Sequence, residues 1–410
     1  MDTALLDALQ AIYRIQPATR RALATALGTS ANRISPLVTR LLALGLVCEG
    51  SPQEGLPGRP AAPLSINPDA ARIAGLDIGG RNSRAVLTDA AGCVLSSLVR
   101  PTDTTADRGV ILDQLAALVE TICSASSLSP SSLAAIGVGL QGIVHVPSGT
   151  VLDWPNTPGW ASGWAGLNVP LALSQRLGVD LVLIDDTARA MGQAAHRFGQ
   201  ARGCRNFLYV VLGNGIGSAV FIDGRPYMGS AGIAGEVGHI TVDENGPWCT
   251  CGNRGCLETL ASTAAVLRRV HERLAEPRLM STLRGAYERN ELTLAAVVEA
   301  AEAGDKLAFQ VMDETGAYIG KVLAIALNIL GPEMVVLGGP LARSDSIMLA
   351  AVQRQVRLRA LEHVSRDARI VCDDQGEFTG AHGAALLALD RLFSSAEHLA
   401  RLLARAQHAG

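Results

Sequence analysis

Two stretches of this 410-residue chain repeat one design. "RIAGLDIGGRNSRAVLTDAAGCVL" (72–95) and "NFLYVVLGNGIGSAVFIDGRPYM" (206–228) each run an apolar strand into a glycine turn and out along a second apolar strand. The pair predicts an internal duplication, in which each half of an α/β domain opens on a glycine hairpin. Glycine permits close approach of other atoms, and exposed N–H groups in such turns can cradle phosphate. Either turn alone reads as an ordinary hairpin. Together they make Gly79, Gly80, Gly213, Gly215 and Gly217 candidate nucleotide-phosphate ligands, with Asp77 placed to hold Mg²⁺ through water. Gly338 and Gly339 in "EMVVLGGPLA" form a further glycine turn after a strand and are candidate nucleotide-binding residues, though the turn reads equally as a plain strand-to-helix turn.

The run "GHITVDENGPWCTCGNRGCLE" (238–258) gathers His239, Cys249, Cys251 and Cys256, the four ligands that a closed tetrahedral zinc site needs. A closed site has no open position to activate water, so the metal expected here is structural. The other five cysteines (Cys48, Cys93, Cys123, Cys204, Cys372) are scattered singly, which suits a reducing cytoplasm and not a disulfide framework. With 48 % hydrophobic and 18 % charged residues and a net charge of −3, the chain has a globular composition and no global basic field. No run reaches the roughly 18 apolar residues of a membrane span. The N-terminus lacks the basic start and apolar core of a signal peptide.

Contact with DNA would therefore be local, and the first seventy residues offer it. "TALLDALQAIYR" carries Leu5, Leu6, Leu9 and Ile12 at helical spacing. In "PATRRALATALGTSANRISPLVTRLLALGLV", Thr19 caps a short helix that Gly28 ends, and a second helix finishes at Gly45. This is a helix-turn-helix outline, and the following two strands around a Pro/Gly-rich loop would be a wing. Residues 17–64 hold five arginines (Arg20, Arg21, Arg33, Arg40, Arg59) against two glutamates. Arg20, Arg21, Asn32, Arg33, Ser35, Arg40 and Arg59 are the candidate DNA contacts, through phosphates or base edges. A winged helix used only for protein contacts is the competing reading. Pro36 inside "ISPLV" predicts that the second helix starts or kinks at Ser35, which would cap it and leave Asn32 and Arg33 on the preceding turn.

The zinc signature resembles that of the ROK (repressor, open reading frame, kinase) family, and the leading winged helix is similar to the family's repressor branch. The resemblance implies an N-terminal winged helix-turn-helix (1–70) before a duplicated two-lobed actin-like (ribonuclease H-like) sugar kinase domain. Its first α/β lobe would be 71–185 with 376–410, and its second 186–375, carrying the zinc site and the dimer interface. It also implies a hexose-type ligand and a homodimer or larger homo-oligomer. Carried over residue by residue, Asn156 of "DWPNTPGW" contacts the sugar, Asp185 of "LIDDTARAMGQ" stands where the kinase catalytic base belongs, and Glu236, His239 and Glu258 hold sugar hydroxyls. Solvated, idle carboxylates are the alternative reading of Glu236 and Glu258.

The departures fall on the nucleotide side. Arg81 replaces the Thr of the family's "DxGGT", Asn214 that of "GTGxG", and Ile184 stands for the Asn before the catalytic Asp. Each lost hydroxyl removes a phosphate contact. The expectation is a sugar-responsive transcription regulator in the cytoplasm, binding operator DNA and a hexose or N-acetylhexosamine. An ATP-dependent hexose kinase using Asp185 and Mg-ATP is the alternative, and a regulator answering to a protein partner is a third.

Overall fold

The computed structural model describes residues 3–51, 62–103, 106–154, 163–344 and 346–409. The apolar stripe Leu5, Leu6, Leu9, Ile12 is buried along α1 (Thr3–Ile15). Helix α2 (Arg20–Ala26) starts at Thr19, whose hydroxyl accepts the N–H of Ala22 at 3.1 Å. The chain leaves it through Gly28 at φ +61° and enters α3 (Ala31–Ala43). Strands β1 (Val47–Glu49) and β2 (Leu64–Ile66) pair antiparallel to form the base of the wing.

Helix α3 corrects one expectation. It runs unbroken from Ala31 with Pro36 inside it, so Ser35 is not its cap. Ser35 Oγ instead donates to the carbonyl of Ala31 at 2.9 Å. The physical reason is burial. Ile34, Val38 and Leu41 are fully buried on one face, whereas the proline ring forfeits a single hydrogen bond, to the carbonyl of exposed Asn32, which water can satisfy. Asn32 and Arg33 therefore lie on the helix and not on a preceding turn.

Two compact units contain the described residues: Met1–Leu140 with Asn168–Asp185 and Ala381–Gly410, and Gln141–Leu167 with Asp186–Gly380. In the first, β3 (Arg72–Ile78), β4 (Asn82–Asp89), β5 (Val94–Pro101), β6 (Ala135–Leu140) and β9 (Val182–Asp186) form a sheet of order β5-β4-β3-β6-β9, with α4 (Arg108–Ser124) between β5 and β6. The hairpin β7 (Ile143–His145) and β8 (Thr150–Asp153) belongs to the second unit, and α5 (Val169–Leu177) to the first. The second unit continues with α6 (Thr187–Phe198), β10 (Phe207–Leu212), β11 (Ile216–Ile222) and β12 (Arg225–Pro226). Helices α7 (Leu257–Ala261), α8 (Thr263–Leu274), α9 (Arg284–Glu288), α10 (Leu294–Glu302) and α11 (Lys306–Leu330) follow. The unit closes with β13 (Met334–Gly338), α12 (Ile347–Arg359), α13 (Glu362–Asp367) and β14 (Arg369–Cys372).

Its sheet has the order β12-β11-β10-β13-β14, the same order as the first when each strand is matched by rank. Both sheets centre on an antiparallel hairpin whose first strand pairs parallel to a later one, β3 with β6 and β10 with β13. The duplication read from the glycine hairpins is thus a duplication of topology. Along β10, Leu208, Val210 and Leu212 feed one core while Phe207, Tyr209 and Val211 feed the other, as a sheet covered on both faces requires. Chain 381–410 returns to the first unit as α14 (Thr379–Ser394) and α15 (Ala396–Ala409). Helix α14 lies almost on the strand backbone. A Cβ at Gly75 of β3 would sit 2.0 Å from the carbonyl of Ala381, and one at Gly137 of β6 1.9 Å from that of Ala384.

Candidate functional site

The second unit brings the metal-type ligands together. The ligand atoms of His239, Cys249, Cys251 and Cys256 all lie within 4.8 Å of one another. His239 Nδ1 is 3.6 Å from Cys249 Sγ, and Cys251 Sγ is 3.6 Å from Cys256 Sγ. A histidine nitrogen and three sulfurs about 2.0–2.3 Å from a central ion would stand roughly 3.5–3.8 Å apart, so these two separations fit tetrahedral zinc. The chemistry of the donors agrees. Burial, then the neighbouring thiols, push Cys256 up to about 12, and burial also raises Cys249. Cys251, despite the opposing effect of burial, is brought down to about 7 by the N–H of Asn253 and the adjacent thiols. Three thiols this close cannot all ionise without a cation among them. The cluster can hold a metal ion.

The residues around it are short and tightly bonded. Val242 N–H donates to Gly255 O (2.8 Å), Leu257 N–H to Ile240 O (2.9 Å) and Cys249 N–H to Asn253 O (2.8 Å). Gly235, at φ +101°, and Gly238 allow the loop to lie on β11. Cβ atoms there would come within 2.4 Å of Ser218 O and 2.0 Å of Ile216 O. Cys256 ends the loop and precedes α7, whose first turn holds Glu258.

Glu258 is buried, and its Oε2 accepts the N–H of Ile216 at 2.9 Å. Ile216 belongs to the second glycine turn, so the loop that carries the cysteines is tied directly to that turn. A Cβ at Gly215 would stand 2.8 Å from the same oxygen. In this structure it is the Glu258 carboxylate that needs a glycine there. Gly213 N–H, in turn, donates to Gly215 O (3.0 Å), and Gly339 (φ +92°) follows β13 with its Cβ position 2.7 Å from Leu212 O. Gly213 and the Gly338–Gly339 turn therefore adjoin at the carboxyl ends of parallel strands β10 and β13, where open α/β sheets place ligands.

Glu236 precedes the short 3-10 turn that carries His239. Burial raises its carboxyl above the ordinary range, His239 and Arg189 oppose that rise, and Glu258 adds to it. Arg189, on the first turn of α6 and buried, was not singled out from the sequence. Its signal was an arginine in an otherwise alanine-rich stretch, "TARAMGQAA", which polarity alone places on a surface. Since the His239 Nδ1 atom faces Cys249, the Nε2 atom is left for another partner.

The first unit holds the remaining candidates. Asp185 is buried at the end of β9, and Asp186 beside it caps α6 by accepting the N–H of Ala188 at 2.8 Å. Asp77, near the end of β3, is also buried. The turn at Gly79 and Gly80 closes on itself, with Gly79 N–H donating to Asn82 O (3.2 Å) and Thr102 Oγ1 to Gly79 O (2.8 Å). Arg81 is exposed beside it. In the winged helix, Arg21, Asn32, Arg33, Ser35 and Arg40 are exposed, the last four on α3. Arg20 is paired with Glu49 at 2.6 Å. Asn156 and Arg59 lie outside the described residues.

Residues 73–391 match the ROK family. The chain belongs to the ROK family. It is 29 % identical over 362 residues to the Escherichia coli K12 DNA-binding transcriptional dual regulator NagC, covering 87 % of this chain and 84 % of NagC. A solved ROK family transcriptional regulator, described as a homologue of the E. coli MLC protein, superposes with a TM-score of 0.81 at 25 % identity, over 98 % of each chain. A ROK glucokinase from Streptomyces griseus, solved with glucose and AMPPNP, superposes with a TM-score of 0.68 at 27 % identity. That kinase is matched over 98 % of its own length but only 77 % of this ROK chain. The fold is therefore a winged helix-turn-helix followed by the duplicated actin-like sugar kinase domain. No helix among its described residues is long and apolar enough to cross a membrane.

Proposed function

We propose that this ROK protein is a sugar-responsive transcriptional regulator, acting as a repressor, that binds operator DNA through residues 1–70 and a hexose or amino-sugar through the kinase-like domain. The observation that carries this reading is the second glycine turn. Its Ile216 N–H is engaged by Glu258 and its Gly213 N–H by Gly215, while Glu236, His239 and Glu258 remain grouped as a polyol-type site. Two donors of that turn are thus already occupied by this chain's own acceptors. The end-to-end likeness to a ROK regulator supports the same reading.

In this account each sugar hydroxyl, both donor and acceptor, meets a carboxylate, an imidazole or an amide, from Glu236, Glu258, His239, Asp185 and Asn156. His239, Cys249, Cys251 and Cys256 would hold a structural Zn²⁺, whose contribution when bound is to neutralise three thiolates and fix the loop. Glu236, whose carboxyl burial raises above the ordinary range, is suited to share a hydrogen bond with a sugar hydroxyl. The exposed face of α3, with Asn32, Arg33, Ser35 and Arg40, enters the major groove, Arg21 meets phosphate and Arg59 of the wing a neighbouring groove. The protein works in the cytoplasm as a homodimer or larger homo-oligomer on a palindromic operator. Releasing the operator from 1:99 to 99:1 takes about 10⁴-fold preference of the sugar for one conformation.

A second reading, an ATP-dependent hexose kinase, is favoured by one observation: Asp185 is retained and buried at a strand end, as a catalytic base requires. One preparation decides between them. The regulator reading expects operator binding at low salt that a hexose or N-acetylhexosamine alters, with no ADP formed from Mg-ATP. ADP release that Asp185→Asn abolishes would establish the kinase. Absence of any operator binding at low salt would overturn the first reading.

A further inference from the structure

The winged helix is joined to the first lobe by one covalent connection, and a single connection lets a small domain pivot. Here that connection is short and bonded on both sides. Asn67 N–H donates to Leu46 O (3.0 Å) and its Nδ2 to Gly45 O (2.7 Å), while Ala90 N–H donates to Pro68 O (3.0 Å). A second attachment lies far along the chain. The ring of Tyr13, on α1, stacks on that of Phe393, on α14, with centroids 4.4 Å apart and planes 7° from parallel. Its hydroxyl donates to the carboxylate of Asp390, and Gln10 Nε2 donates to Ser394 O at 3.1 Å.

Gln10 and Tyr13 stand three residues apart, so they share one stripe of α1, while Leu5, Leu9 and Ile12 face the winged-helix core. Helix α14 at its other end is seated in backbone contact with β3 and β6 at Gly75 and Gly137. A helix held that closely cannot slide without displacing the strands. The first sheet, α14, α1 and the winged helix therefore form one continuous packed path, and two attachments fix an orientation that one would leave free.

We propose that Tyr13 is a positioning residue, the latch through which movement of the first lobe sets the orientation of the DNA-binding domain. The proposal rests on the regulator reading, since it says how that signal travels. The stack and the hydrogen bond of Tyr13 both go to α14, so its loss is expected to leave both binding surfaces in place and to sever what joins them.

The test uses the full chain as wild type, Tyr13→Phe, Tyr13→Ala, Asp390→Asn and the double variant Tyr13→Phe/Asp390→Asn. Sugar affinity is measured by calorimetry, operator affinity with and without saturating sugar by fluorescence anisotropy, and amide exchange in α1 by mass spectrometry. Sugar affinity is expected to stay within about twofold of wild type, because Tyr13 is not one of the candidate sugar-site residues. The ratio of operator affinities without and with sugar is expected to collapse about tenfold in Tyr13→Ala and less in Tyr13→Phe, which keeps the stack. The double variant should fall short of the sum of the two singles, since each removes the same hydrogen bond. A wild-type ratio in Tyr13→Ala overturns the latch. Should the wild type bind no operator or ignore every sugar, the regulator reading fails instead, and the latch is then judged on exchange in α1 in Asp390→Asn, where α1 itself is unaltered. Faster exchange there supports the attachment, and unchanged exchange overturns it.

Discussion

Removing the metal that the loop at 239–256 would hold tests how the candidate sugar site is kept in place. The four ligands close an 18-residue loop, and a cross-link of that length is worth about 3 kcal/mol of chain entropy. The loop ends at Cys256, two residues before Glu258, whose carboxylate must reach Ile216 N–H. If the freed loop had to be reordered entirely at the expense of ligand binding, about 3 kcal/mol corresponds to roughly a hundredfold loss of sugar affinity. The backbone bonds at Val242, Cys249 and Leu257 persist without the ion, so this figure is an upper limit. The core of the second unit, built from β10, β13, α8, α11 and α12, does not depend on the cysteines. Titration calorimetry of metal-loaded and chelated protein, with circular dichroism to confirm that the chain stays folded, measures the effect. Between tenfold and a hundredfold weaker sugar binding with near-native circular dichroism is expected. Unchanged affinity in metal-free protein would refute the strut.

Three further outcomes follow from packing. Pro36→Ala restores the missing N–H in a continuous α3 and should stabilise the winged helix by about 1–2 kcal/mol, read as slower amide exchange in α3; faster exchange would return the helix start to Ser35. Asp305 caps α11, accepting the N–H groups of Ala308 (3.0 Å) and Thr282 (2.7 Å), so Asp305→Ala should cost about 2 kcal/mol in denaturant unfolding. Burial opposes its ionisation but these hydrogen bonds prevail and hold its carboxyl below the ordinary 3.8; its stabilisation is therefore present above pH 3.8 and is lost as pH falls through its lower folded value, a dependence absent from the variant. Gly137→Ala drives a methyl into the carbonyl of Ala384 and should destabilise the first unit by about 1–3 kcal/mol in the same unfolding assay; a neutral result would mean α14 is not seated as described.

What was legible in the sequence was local. The glycine hairpins and the His/Cys cluster announce themselves because each is written within about two dozen residues and uses residue types with few other purposes. Pro36 misled because the rule for proline is local whereas the cost is decided by Ile34, Val38 and Leu41 packing elsewhere. Arg189 was passed over because its burial and its interaction with Glu236 are tertiary, and no spacing encodes them. The same holds for Gly215: the pattern asks for a phosphate, and only the fold reveals that a carboxylate from 42 residues away takes the N–H next to it. Tyr13 looks like any amphipathic-helix aromatic until Phe393 arrives.

The seating of α14 on Gly75 and Gly137 also has a consequence for how the protein is made. Strands β3 and β6 leave the ribosome long before the helix that covers them is made. With roughly 250 residues between Gly137 and Ala384 and synthesis at about 5–20 residues per second, the groove waits some 12–50 s for its occupant. During that interval the second unit can complete its own sheet, since every strand of it precedes α14. The winged helix is thus made well before α14, so a nascent chain that stops short of α14 lacks the proposed latch.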